Sequence, residues 1–180
     1  MEKNFLEVFN GLDLDKRNKE LFEDVTVTQV LTNKARDLIR VYIKSDHVIP
    51  KASIYRVEKL IKLSVFSRKF GRVKIYETFN LSDYYTPEIL FKEYRDSISL
   101  EMEKYGVVEK TLFDNSEVSF SQEGAIHLEV EDAGYLKMKS DEVRRIIEKI
   151  FLEDVVFLLK LVLAFMSHLK RMCLYMNLLR

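Results

Sequence analysis

Alternating apolar and polar residues mark the best-defined strand of the chain. Residues 72–79 alternate without a break, as expected for a strand with one buried face. A β-branched run over residues 25–32 and an apolar run over residues 38–43 predict two earlier strands. Because Asn33 and Lys34 are interpreted as a turn between them, these two strands should pair as a hairpin.

Helical spacing appears on both sides of this hairpin. Apolar residues recur at helical intervals from Ile54 to Phe66, with Pro50 at the start and Gly71 beyond the end. Residues 3–23 scatter apolar positions among charges in a way that predicts a short helix, a turn and more helix. The first part of the chain is therefore expected to run helix, strand, strand, helix, strand.

A second set of elements follows a loop at residues 80–85. Thr86 and Pro87 have the residue types of a helix N-cap and first helical position, and Gly106 ends the apolar periodicity. The later elements should be a short helix, two strands and a helix capped by Ser140; they are expected at residues 107–113, 118–120, 125–130 and 140–151.

These patterns predict an α+β protein of two small units, at residues 1–82 and 83–154, followed by a tail at residues 155–180. Each unit should hold a short antiparallel or mixed sheet with its helices packed on one face, because helices and sheets bury their apolar sides against each other. The tail is expected to form an apolar helix.

The tail differs in composition from the rest of the chain. It is mostly apolar and has no acidic residue, while its basic residues are Lys160, Lys170, Arg171 and Arg180. A membrane span needs about 20 predominantly apolar residues. The apolar run of the tail covers only residues 155–166, and Lys160 interrupts it. A membrane-surface or partner-docking helix is a second interpretation. The third is a shifted reading frame, in which case the second unit would lack a strand that the tail is not designed to supply.

Composition excludes several classes of function. The chain has 29 basic and 29 acidic residues, so it lacks the excess of positive charge found in polybasic nucleic-acid binders. Cys173 is the only cysteine and the N-terminus has no signal-peptide pattern, which together favour a cytoplasmic protein. No phosphate-binding loop, dinucleotide, zinc-protease or nucleophile-elbow motif occurs. We therefore expect no catalytic residue, no cofactor and no metal site.

One basic cluster remains as a candidate binding site. Basic and aromatic residues alternate near a helix-to-strand turn, a combination that can hold a phosphate backbone and stack bases; the basic members are Arg68, Lys69, Arg72 and Lys74. The alternative is a solvated sheet face beside core aromatics, which the zero net charge favours.

The order of these elements resembles the N-terminal region of the PolC-type DNA polymerase III alpha subunit of low-GC Gram-positive bacteria. The resemblance covers roughly residues 5–154. In the first unit it rests on residues 25–27, 40–43, 48–50, Tyr55, Leu60 and 73–75. In the second it rests on the run Leu90–Tyr94, the hairpin at residues 118–130 and the helix at residues 140–151.

This resemblance implies a non-catalytic fragment of a larger enzyme. In the family, a domain similar to the polymerase-binding domain of the clamp-loader tau subunit is followed by a KH-like domain. Both precede the OB, PHP, 3′–5′ exonuclease and polymerase modules, which do not fit in 180 residues. The expected role is contact with replisome proteins, tau among them, with weak single-stranded DNA contact and no membrane.

The tail fits this family poorly. The family should continue past Asp154 with another strand and mixed charge, so the acid-free tail favours a truncated or frameshifted gene product. The alternative to a polymerase fragment is a small free-standing protein held at a membrane or partner by its C-terminal helix.

Overall fold

The computed structural model describes residues 2–35, 37–64, 71–121, 125–131, 135–150 and 161–166. They belong to two compact units, the first ending at Tyr84 and the second beginning at Tyr85. Helices and strands are mixed in both, which confirms the expected α+β class.

The first unit is built around a four-stranded mixed sheet in the order β1-β2-β3-β4. The pairs β1–β2 and β2–β3 are antiparallel, as the predicted hairpin requires, while β3 and β4 run parallel. The elements are β1 (Lys3–Asn4), α1 (Phe5–Val8), α2 (Lys16–Leu21), β2 (Thr26–Thr32), β3 (Leu38–Ser45), α3 (Lys51–Ser64) and β4 (Arg72–Phe79).

The N-terminal helices are shorter than predicted, and a strand precedes them. Phe5 N–H donates to the Val25 carbonyl at 2.8 Å, which holds the start of the chain against β2. The Asn4 side chain accepts from Leu6 N–H at 2.8 Å and so caps α1. Backbone pairing with β2, which local sequence does not reveal, therefore makes residues 3 and 4 a strand.

The core of the first unit lies between the sheet and α3. Ile54, Val57 and Ile61 of α3 are fully buried, as are the inward-facing side chains of β3. Val73 and Ile75 are 8% and 1% exposed, and the intervening residues of β4 are not buried. The predicted alternation of β4 is confirmed.

A bulge interrupts β2. Its pairing with β3 shifts register between Val27 and Gln29, so one residue is added to the strand there. Val27 is buried, but Gln29 and Leu31 are exposed beyond the bulge. The predicted strand is thus confirmed, but its alternation of buried and exposed residues does not continue beyond Val27.

The second unit repeats this plan. Two helices lead into an antiparallel hairpin, and a third helix connects the hairpin to a strand parallel to its second member. The elements are α4 (Pro87–Met102), α5 (Val107–Asp114), β5 (Glu117–Phe120), β6 (Ile126–Glu131), α6 (Tyr135–Ile150) and β7 (Leu161–Met166).

The helix starts of the second unit agree only partly with the sequence. Thr86 accepts a hydrogen bond from Ile89 N–H at 3.3 Å and Pro87 begins α4, as predicted. However, α6 begins at Tyr135, so Ser140 lies within the helix instead of capping it. Residues 136–139 are Leu, Lys, Met and Lys, all good helix formers that extend the helix toward its N-terminus.

The tail contains a strand. Leu161–Met166 pairs in parallel with β6, from Ile126 opposite Leu161 to Glu131 opposite Met166. A continuous apolar run is typical of a parallel strand, which suits these six residues better than helix. Residues 161–166 therefore form a strand where a helix was predicted. Residues 155–160 and 167–180 lie outside the described residues.

One interpretation of the tail requires a membrane-spanning helix. Within the described ranges, none of the helices has the length and apolar character required to span a bilayer.

Candidate nucleic-acid interface

The side of the first sheet that faces away from α3 carries a basic and aromatic surface. Alternate residues of β3 and β4 point to this side because strand side chains alternate. We call it the outer face and define it by Arg40, Tyr42, Lys44, Arg72, Lys74 and Tyr76.

Parallel pairing of β3 with β4 arranges these residues in rows. Arg40 lies opposite Lys74, and Tyr42 lies opposite Tyr76. The two tyrosine rings stack with centroids 5.1 Å apart and planes inclined by 17°. Tyr76 remains 41% exposed, so part of its ring is open to solvent. Gln29 pairs with Tyr42 on the other side and extends the middle row.

Most of the cations on this face are available. Arg40, Lys44 and Arg72 are exposed, and within the described part of the chain none of them forms an ion pair. The six residues of the outer face include no acid. Local charge therefore departs from the zero net charge of the whole chain.

Lys74 differs from the other cations, because its ammonium lies beside two residues of α3 although its place in β4 belongs to the opposite side of the sheet. Its ammonium lies 3.6 Å from a Glu58 carboxylate oxygen and 5.1 Å from the centre of the Tyr55 ring. Glu58 also accepts a 2.7 Å hydrogen bond from Ile75 N–H. Burial raises the pKa of Glu58, against the lowering effects of the Ile75 N–H and of Lys74. Lys74 is thus partly neutralised and contributes less to the surface than its position suggests.

The predicted cluster is only partly brought together. Arg72 and Lys74 lie on the outer face, whereas Arg68 and Lys69 lie outside the described residues. Sequence analysis missed Arg40, Tyr42 and Lys44, which complete the surface from β3. Their alternation with buried Val41 and Ile43 is visible in the sequence, but their proximity to Tyr76 depends on the β3–β4 pairing.

The outer face has the components of a single-strand binding surface. An exposed ring can stack a base of any identity, and nearby unpaired cations can neutralise phosphates. Within the described ranges, no three His, Cys, Asp or Glu residues come together in a geometry that could hold a metal ion.

Comparison with known families finds a match for most of the first unit. Residues 4–75 match the family described as DNA polymerase III polC-type N-terminus I, and this stretch extends from β1 into β4. The resemblance inferred from the sequence is confirmed for this region. No curated protein and no solved structure matches the chain.

Proposed function

We propose that the chain, whose residues 4–75 match the polC-type N-terminus I family, is a non-catalytic part of a replicative DNA polymerase that contacts single-stranded DNA. The outer face carries this proposal, because it combines a solvent-accessible tyrosine stack with three cations that form no ion pair with any residue the structure describes. By binding the single strand, the outer face would help to position the template in the cytoplasmic replisome.

The expected mode of binding follows from the geometry. One base stacks on the exposed side of Tyr76, whose ring is supported from behind by Tyr42. Arg40, Lys44 and Arg72 contact phosphates on either side of that base. Neither interaction reads base edges, so binding should tolerate any sequence and weaken steeply with salt.

The proposal also includes contact with other replisome proteins, with the clamp-loader tau subunit as the partner implied by the family resemblance. Size-exclusion chromatography of the full chain with purified tau tests this part separately. Failure to co-elute at micromolar concentration would remove tau as a partner without affecting the DNA contact.

Titration of a labelled oligo-dT of about 12 nucleotides, within the usual site sizes of single-strand binders, tests the DNA contact. Fluorescence anisotropy across a salt series gives both affinity and salt slope. Changing Arg40, Lys44 and Arg72 to alanine should lower the slope by about two units, since each single-strand phosphate contact contributes about 0.7. Changing the exposed Lys19, Lys59 and Lys62 to alanine removes the same charge elsewhere and should leave the slope unchanged.

A matched pair of tyrosine variants tests stacking. Tyr76→Ala should weaken binding by about 1–3 kcal/mol, while Tyr76→Phe keeps the ring and should bind as the parent does. Tyr84→Ala serves as the control, because Tyr84 is 65% exposed but lies off the outer face. Equal losses for the two alanine variants, or no binding by the parent, would overturn the proposal.

A further inference from the structure

A second site lies in the first unit, on residues that do not belong to the outer face. A pocket of about 400 Å³ opens between the start of α2 and the start of α3. Residues 15–18 line one side, and Pro50, Ala52, Ser53 and Arg56 line the other. Its size suits a few residues of a bound segment.

The charges around this pocket favour an anionic group. The charged residues that line it are three bases and one acid. The bases are Lys16, Arg17 and Arg56, and the acid is Asp15. A 2.9 Å ion pair between Asp15 Oδ2 and Arg56 Nη2 positions the guanidinium. The Asn18 N–H hydrogen bond holds the pKa of Asp15 below its ordinary value, so the carboxylate persists. Because a guanidinium has five N–H donors, Arg56 retains donors for a ligand.

A buried acceptor in the same pocket favours a ligand that also donates. Asn18 is 4% exposed, and its Nδ2 donates to both carboxylate oxygens of Asp15, at 3.0 Å each. This fixes the orientation of the amide and leaves Oδ1 as the acceptor. Among the described residues, Asn18 Oδ1 receives no hydrogen bond. Buried acceptors without a partner are uncommon, which points to a donor supplied from outside.

Together these features select among ligand classes. A phosphodiester offers only acceptors near its charge, so it could satisfy the cations but not Asn18 Oδ1. A peptide offers an acidic side chain and a backbone N–H a few ångströms apart, and Pro50 and Ala52 provide apolar contact for its carbon atoms.

We infer that this pocket binds a short acidic peptide segment of a protein partner. An Asp or Glu side chain of the segment lies between Arg17 and Arg56, and a backbone N–H of the segment donates to Asn18 Oδ1. The site is separate from the DNA contact proposed above and does not require it.

NMR titration of the isotope-labelled full chain provides the test. The probe is a capped tripeptide, acetyl-Ala-Glu-Ala-N-methylamide, with two analogues: Gln in place of Glu, and N-methylated backbone amides. The Glu peptide should shift the amide signals of residues 15–18 and 52–56 in a saturable manner. Each analogue should bind about tenfold more weakly, because the Gln peptide loses a charge-assisted contact and the N-methylated peptide leaves a buried acceptor without a donor.

Charge-reversal variants locate the site. Arg17→Glu combined with Arg56→Glu should abolish the shifts. Lys19→Glu combined with Lys59→Glu makes the same charge change on exposed positions of the same two helices, outside the pocket, and should preserve them. Equal loss in both pairs would reduce the effect to general electrostatics and overturn the inference.

Anion probes separate the remaining outcomes. Inorganic phosphate or acetate that shifts the same signals at the same concentration would mean anion binding without a peptide site. Oligo-dT that saturates these signals at lower concentration than the Glu peptide would assign the pocket to nucleic acid. Either result overturns the peptide assignment.

Discussion

The Glu58 carboxylate accepts a 2.7 Å hydrogen bond from the backbone N–H of Ile75, a residue of the edge strand β4. Edge strands present unpaired N–H groups to other chains. Here a side chain from α3 occupies one of them and also lies 3.6 Å from the Lys74 ammonium. Glu58 therefore links the helix to the outermost strand of the sheet.

The raised pKa of Glu58 predicts a defined pH dependence. Because the folded state binds this proton more tightly than the unfolded state, its contribution to the free energy of unfolding falls as pH rises above the ordinary value of 4.5. Glu58→Gln removes the titration. Urea unfolding over a pH series around that value should show the parent losing stability relative to Glu58→Gln as pH rises. A constant difference between the two proteins would contradict this.

Truncation of Ile75 should damage the core of the first unit. Its side chain is 1% exposed, so Ile75→Ala should lower the free energy of unfolding by about 2–5 kcal/mol. Thr78→Ala, at an exposed position of the same strand, is the control. Denaturation followed by tyrosine fluorescence is suitable, since the chain has no tryptophan. A loss below about 1 kcal/mol for Ile75→Ala would mean that the strand faces the other way.

A buried ion pair joins Lys51 at the start of α3 to Glu77 on the inner face of β4. Their side chains are 5% and 2% exposed. Lys51→Met leaves a buried carboxylate without its partner and should cost about 3–5 kcal/mol, whereas replacing both with Met and Leu should restore much of the loss. Lys16→Met breaks the exposed pair with Glu20 and should cost about 1 kcal/mol or less. If the losses of stability caused by Lys51→Met and by Glu77→Leu simply add in the double variant, the two side chains are not energetically coupled.

Gly106 is required at the corner between α4 and α5. Its φ of +156° with ψ of 159° is a backbone conformation that other residues rarely adopt, and an added Cβ would collide with the Glu109 carboxylate. Gly106→Ala should therefore lower the free energy of unfolding of the second unit by about 1–3 kcal/mol. Gly11→Ala is the control, because nothing lies within 4 Å of the added carbon. Hydrogen exchange should show faster opening of α4 and α5 only for Gly106→Ala.

Local signals explain most of what the sequence predicted. Pro87 after Thr86, and the alternation of residues 72–79, act within a few residues of the structure they specify. The start of α6 was misplaced because Ser140 and Asp141 have the composition of a cap although good helix formers precede them. The strand at Lys3–Asn4 exists only through pairing with β2, so no local pattern could reveal it.

The candidate site depended on long-range pairing. Arg72 and Lys74 could be selected from the sequence because they are close together in it. Tyr42 comes to lie beside Tyr76 only because β3 and β4 are parallel neighbours in one register. An adjacent hairpin is the simplest pairing to infer from sequence, while the partner of a strand beyond a helix is not determined by local pattern.

Parallel pairing of β3 with β4 also has a consequence for synthesis of the chain on the ribosome. The hairpin of β2 and β3 emerges first. The other edge of β3 gains its neighbour, β4, only after α3 and residues 72–79 have been translated. Until then Val41 and Ile43, both buried in the finished unit, lack the strand that packs beside them. The nascent N-terminal segment should therefore remain open to proteases and chaperones, and become protected in one step once Phe79 has left the exit tunnel.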